Sequence, residues 1–350
     1  MSDKTDEILF ERRGPAGLVT LNRPQALNAV TLGMVRALHA KLDKWARNDK
    51  IHHVVVRAVG GKAFSAGGDI RNLYDWGRSG NETWRDFYRE EYRLNAAIKH
   101  YGKPYVALID GIVMGGGVGI SVHGSHRVAT EKLMFAMPEV GIGMFPDVGG
   151  SWFLPRLPGE VGTYLALTGA RVGLEDARWT GIANHGCPSD RIGDLVEELC
   201  AATDVDAVIA KHGVRPKHAP LARLQADIDR VFSKASIEEI LAALDAEGEV
   251  EWAKKAAAAM RRNSPTSMKV ALRQLREGKR RTEFDDCMRM EYRVVERVMR
   301  GHDFFEGVRA QIIDKDNAPN WQPATLAELS DEAVGGYFAP LAEGDLGLES

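Results

Sequence analysis

The segment from Ala136 to Gly150, AMPEVGIGMFPDVGG, constrains this chain more than any other. Its glycines and prolines exclude a regular helix, so the backbone there must run through turns that neighbouring structure holds in place. Two carboxylates, Glu139 and Asp147, sit in it among Met137, Val140, Ile142, Met144, Phe145 and Val148. Burial among such side chains raises a carboxyl pKa unless donors compensate, which is how acid, base and nucleophilic carboxylates are made. The alternative is that both only satisfy backbone N–H groups in tight turns, and the segment alone does not choose.

Apolar strands and glycine loops lead up to it. Residues 8–10 and 18–21 flank Gly14-Pro15-Ala16-Gly17 as a hairpin. Thr31 then precedes Leu32, Val35, Leu38, Leu42 and Trp45 at helical spacing. Residues 54–59 form a β-branched run of the kind found in buried parallel strands, feeding the loop FSAGGDI at 64–70. A loop of that sort sets backbone N–H groups beside a ligand. Residues 84–100 read as a helix with Phe87, Leu94, Ala97 and Ile98 inward and Glu91 on or beside that face. The strand 105–109 runs through Asp110-Gly111 into MGGGVGISVHG, where the glycines open a buried helix whose first N–H groups face the loop. Residues 126–130 and 133–136 are strands again, giving a repeated order of strand, strand, helix.

Beyond Gly150 the pattern turns mainly helical, over 164–168, 174–180, 193–202, pieces of 221–245, 251–262, 267–277 and 283–300. Residues 204–220 mix Gly, Pro and charges without a clear period and read as a linker. At 350 residues the chain buries a full core without disulfides or metals, as one large domain or two modest ones. A net charge of −3 gives no electrostatic case for nucleic acid or an anionic membrane. Cys187, Cys200 and Cys287 show neither disulfide-framework nor zinc spacing, which fits a reducing cytoplasm. The N-terminal stretch MSDKTDEILFERRG is acidic and lacks an apolar core, so a soluble, untargeted protein is expected.

Three motifs tempt other readings. A dinucleotide fingerprint starting at Gly115 would need its third glycine at position 120, which is Ile120. Gly119-Ile120-Ser121-Val122-His123 misses the serine-hydrolase elbow at its last position. His123 and His126 offer two imidazoles with no third metal ligand in sequence reach, a pattern more often packed or solvated than metal-binding.

The remaining combination, FSAGGDI, DGIVMGGGVGIS and MPEVGIGMFPDVGG, resembles the crotonase (enoyl-CoA hydratase/isomerase) superfamily. Within it the Asp147 motif and the run GHDFFEGVRAQIIDKDNAPNW are similar to the branch that hydrolyses small 3-hydroxyacyl-CoA thioesters, and the likeness continues through REEYRLN, KPYVALIDG, FLPRLPG, NSPTSMK and MEYR. It covers nearly the whole chain.

The resemblance implies an α/β fold, a spiral of strand-strand-helix turns over residues 1–202 with a mainly helical C-terminal region over 203–350. It implies that Gly68 and Gly116 supply the two backbone N–H groups of an oxyanion hole for the thioester carbonyl, where a side chain would block close approach. It further implies that Glu139 attacks the carbonyl or activates water, that Asp147 positions a substrate hydroxyl or shuttles a proton, and that Glu91 contacts substrate. Gly67, Asp69, Gly115 and Gly119 line the same loops, and Arg71 is a candidate for CoA phosphates, with a solvated arginine as the plain alternative. Where hydratases of the superfamily carry a first catalytic glutamate this chain has Gly119, and where they carry glycine it has Asp147. The expected substrates are 3-hydroxyisobutyryl-CoA and 3-hydroxypropionyl-CoA, with no metal or redox cofactor, no nucleic-acid or membrane partner, and room for a homo-oligomer. A hydratase or isomerase on the same fold and a catalytically silent acyl-CoA binder are the rivals.

Overall fold

The computed structural model describes residues 6–215 and 217–348; the first five residues of the acidic N-terminal stretch lie outside them. The chain groups into two compact units, each assembled from separated segments. Unit 1 comprises residues 1–69, 90–135 and 171–222, and unit 2 comprises 70–89, 136–170 and 223–350. The sequence reading divides the chain once, at residue 202; the contacts cross that point because strand and helix segments far apart in the chain share cores.

The strands are β1 (Ile8–Arg13), β2 (Ala16–Leu21), β3 (His53–Ala58), β4 (Ala63–Ser65), β5 (Tyr105–Ile109), β6 (Ile112–Met114), β7 (His126–Ala129), β8 (Met134–Ala136) and β9 (His185–Gly186). In unit 1, β1-β2-β3-β5-β7-β9 form one sheet, in which only β1 and β2 run antiparallel. Their register sets Ile8 against Leu21, Ala16 against His53, Val54 against Tyr105 and Val106 against His126. All of β2 and β5 is buried, which explains why those strands read as unbroken apolar runs. Edge strand β1, ILFERR, is exposed at Leu9, Glu11 and Arg12 instead. One face is covered by the helix Ile192–Ala201, whose Leu195, Val196 and Leu199 share a core with Val55, Val106 and Val128. Each side chain of this kind stabilises the fold by about 1.5–3 kcal/mol.

The expected linker contains a helix, Val205–His212. Asp204 caps it by accepting a hydrogen bond from Ala207 N at 3.0 Å. Val205, Val208, Ile209 and His212 are buried at spacings of three and four, a helical stripe too short to stand out beside Gly213 and the prolines that follow.

Unit 2 is built around the helices Pro265–Arg280 and Phe284–Val298. Ser264 caps the first, accepting from Ser267 N at 3.0 Å with Pro265 at the first helical position. The family-like C-terminal run turns out to serve packing. Asp303, at the start of helix Asp303–Val308, accepts from Ser264 Oγ at 2.6 Å and Gln322 N at 2.8 Å. Arg309 gathers Glu306, Asp314 and Asp316 at 2.8, 2.7 and 2.6 Å, folding the IDKD stretch back on itself.

Candidate active site

Unit 1 supplies backbone donors. Strands β4 and β6 pair in parallel, Ala63 with Ile112 and Ser65 with Val113, so the loops leaving their C-terminal ends lie side by side. A Cβ at Gly67 would stand 3.9 Å from Gly116 N, which shows how near the two loops come. Val30 N donates to Gly67 O at 2.8 Å and Asp69 N donates to Val30 O at 2.9 Å, so this bridge is made by the residues flanking Gly68. The alternation of extended backbone therefore turns the N–H of Gly68 itself to the other side of the segment.

Gly116 opens the four-residue helix Gly116–Gly119, whose first N–H groups have no partner within the helix. Gly115, which caps it, has φ of +44°, a conformation that other residues rarely adopt. At Gly116 the limit is space. A Cβ would lie 2.5 Å from Glu91 Oε1 and 3.1 Å from Gly68 N. The first distance sets the carboxyl of Glu91, 2% exposed on helix Thr83–Lys99, against Gly116. Gly119 is buried at the end of the short helix and brings no carboxylate. Asp69 is engaged elsewhere, in an ion pair with Arg23 at 2.7 Å.

Unit 2 supplies carboxylates. Glu139 follows Pro138 at the start of a short 3-10 turn, Glu139–Ile142, and is 7% exposed. Burial first, then the neighbouring charge of Asp147, hold its carboxyl well above the usual range. Its Oε2 meets no hydrogen-bond donor among the described residues. A carboxyl kept basic in this way is suited to take a proton or to attack. Asp147 is 6% exposed, and the following Val148 has φ of +50°, an outlier for a β-branched residue. Gln274 Nε2 holds Pro146 O at 2.6 Å. Arg71 belongs to unit 2, exposed on the first turn of helix Ile70–Arg78.

The sequence reading misses one acid of this group. Glu291, in helix Phe284–Val298, is fully buried and accepts from Gly149 N at 2.8 Å, Ser151 N at 2.9 Å and Ser151 Oγ at 2.5 Å. Burial pushes its carboxyl up to about 8, with the charge of Asp147 acting the same way and the hydrogen bonds opposing. The only sequence signal was its place in MEYR, a helix whose stripe looked like ordinary core.

Among the described residues one cluster has the donors for a metal. His126 finds a histidine and a carboxylate, yet the histidine is His185, not His123: His126 Nε2 lies 3.1 Å from Asp206 Oδ1, and the His185 ring stacks on His126 at 5.7 Å. Parallel pairing of β7 with β9 sets the two imidazoles on one face. Burial first, then the neighbouring His126 and Arg178, lower the pKa of His185.

The family model described as Enoyl-CoA hydratase/isomerase matches residues 16–338. A curated relative from Danio rerio, 3-hydroxyisobutyryl-CoA hydrolase, mitochondrial, is 47% identical, with 99% of this chain and 94% of that protein covered. A crystal structure titled as a carnitinyl-CoA dehydratase from Mycobacterium thermoresistibile superposes with a TM-score of 0.95 at 40% identity, covering 99% of both chains. One titled as an enoyl-CoA hydratase from Rhodobacter sphaeroides 2.4.1 gives 0.90 at 38% identity, covering 98% of this chain and 100% of that one.

Proposed function

The chain belongs to the enoyl-CoA hydratase/isomerase (crotonase) family, and from that premise we propose that it hydrolyses 3-hydroxyisobutyryl-CoA, and 3-hydroxypropionyl-CoA after it, to the hydroxy acid and free CoA, a step of valine catabolism. The observation that carries this reading is the carboxylate set: a buried, high-pKa Glu139 beside Asp147, with Gly119 where a hydratase needs its other acid.

The Gly68 and Gly116 N–H groups receive the thioester oxygen and stabilise the negative charge that develops on it. In the base route Glu139 takes a proton from water, whose hydroxide adds to the carbonyl carbon; the C–S bond breaks, and the Glu139 proton goes to the departing thiolate. In the nucleophile route the Glu139 oxygen itself adds to the carbonyl carbon and the C–S bond breaks, giving a mixed anhydride and CoA thiolate; water then opens the anhydride to the hydroxy acid and free Glu139, and the proton released goes to the thiolate. Asp147 accepts the 3-hydroxyl of the acyl group and so selects hydroxyacyl substrates. Neither route calls for a metal or redox cofactor.

Two solved relatives carry hydratase or dehydratase titles, so hydration is the reading to exclude. Thiol release from a panel of acyl-CoAs, with crotonyl-CoA hydration followed in parallel, separates the two: hydration without thiol release would overturn the hydrolase. CoA binding with neither reaction would make the protein a silent binder, and turnover lost to a chelator and restored by zinc would overturn the cofactor-free reading. Single turnover in H₂¹⁸O distinguishes the routes, since label enters Glu139 only through the anhydride.

Supporting a reducing, cytoplasmic location are three buried thiols, Cys187, Cys200 and Cys287, that form no disulfide. The relative's name places that protein in mitochondria, and cell fractionation decides between the two. No helix among the described residues is long and apolar enough to cross a membrane. A homo-oligomer is tested by sedimentation.

A further inference from the structure

We propose that Glu291 is the positioning residue for Asp147: it fastens the turn after Asp147 by three hydrogen bonds and thereby fixes where that carboxyl meets the substrate hydroxyl. The inference rests on the hydrolase reading above and adds a residue that the mechanism does not otherwise use.

All three donors come from the few residues that follow Asp147. Gly149 N reaches Glu291 Oε2, while Ser151 N and Ser151 Oγ both reach Oε1. The acceptor is more than 130 residues away in sequence, on the helix Phe284–Val298. A carboxyl buried without compensating contacts is rare; this one is met by two backbone N–H groups and the Ser151 hydroxyl.

The turn is clamped from a second side. A Cβ at Gly278, in helix Pro265–Arg280, would lie 1.9 Å from Ser151 O, so helix and turn touch backbone to backbone. Gln274, one turn earlier on that helix, holds Pro146 O at 2.6 Å. Asp147 thus lies between two anchors, at Pro146 and at Gly149, and Asp147 O accepts from Gly150 N at 2.8 Å. Within this span Val148 is kept at φ of +50°. A strained residue persists only where its surroundings over-determine it, and Glu291 adds three hydrogen bonds to that restraint.

The test compares Glu291→Gln, Asp147→Asn and the double variant in turnover of 3-hydroxyisobutyryl-CoA and isobutyryl-CoA. Glutamine keeps the shape but sets its amide N–H₂ against either Gly149 N–H or the Ser151 donors. A displaced Asp147 should cost about tenfold in kcat for the hydroxyacyl thioester, no more than Asp147→Asn itself, with KM moved by less than about threefold. The hydroxyacyl-to-acyl preference should fall by about tenfold, and adding Glu291→Gln to Asp147→Asn should lower it no further. Ser151→Ala, which deletes one donor and leaves the backbone, should move the preference the same way by about threefold. Equal losses on both substrates, or additive losses in the double variant, would overturn the proposal even with a fully active parent. Absence of thioester hydrolysis in the unsubstituted protein would overturn the hydrolase reading and this inference together. If Glu291→Gln does not fold, the Ser151→Ala preference decides.

Discussion

The two units, taken separately, differ in the polar groups at their candidate positions. In unit 1 the functional positions are glycines, and what they offer is main-chain N–H: Gly68 turned outward by its bridge to Val30, Gly116 opening a short helix. In unit 2 they are buried acids, Glu139, Asp147 and Glu291, and burial raises the carboxyl pKa of Glu139 and Glu291. Backbone donors are fixed by strand pairing and cannot be deleted by substitution, only crowded. Side-chain acids can be neutralised one at a time, and their chemistry depends on how deeply the surrounding helices bury them.

The sharpest break of this contrast is at Glu139. Glu139→Gln preserves shape and removes basicity, so turnover should fall by about 10³-fold or more while CoA binding, measured by calorimetry, is unchanged. Activity surviving that change, with Asp147→Asn dead on both substrates, would reverse the two roles.

On the other side, Gly116→Val should cost on the order of 10²-fold in turnover, comparable to losing one oxyanion donor. Its Cβ falls 2.5 Å from Glu91 Oε1 and 3.1 Å from Gly68 N, so donor and neighbour are disturbed together. Near-normal turnover in a folded variant would place the oxyanion hole elsewhere.

Asp147→Asn is expected to do less to plain acyl thioesters, because an amide still hydrogen-bonds a hydroxyl. The preference for 3-hydroxyisobutyryl-CoA over isobutyryl-CoA should drop by about tenfold, a loss of one charge-assisted hydrogen bond.

The smallest effect is on stability. Glu291 has a folded-state pKa of about 8 against an ordinary value of 4.5. Its contribution is therefore fully present below the unfolded value and is lost as pH rises through about 8. Melting temperatures of the parent should decline across that window, and those of Glu291→Gln should decline less. Turnover should move the opposite way at its acid limb, rising with pH as Glu139 ionises above the usual carboxylate range. An acid limb at an ordinary carboxylate pKa would detach Glu139 from the chemistry.

Much of this was legible in the chain. The wholly buried strands β2 and β5 announce themselves as apolar runs, and Thr31 with Leu32, Val35, Leu38 and Leu42 announces a capped helix, because periodicity reports burial directly. Glu139 and Asp147 were found because a Gly/Pro segment with apolar neighbours is itself a local signal. The helix Val205–His212 is too short to stand out, and the IDKD run, legible only as similar to the hydrolase branch, is drawn into packing by Arg309.

The sequence by itself thus determined the buried strand runs and the two acids of the central segment, and its resemblance to the crotonase superfamily pointed to the glycine positions of the two loops. Tertiary structure alone decided that Glu291 joins them from about 140 residues away, that His126 meets His185 and Asp206, and that each unit is assembled from separated segments. The reason is physical: strand and helix patterns are set by neighbours within a few residues, whereas desolvation and hydrogen-bond pairing depend on every group that packs around a site.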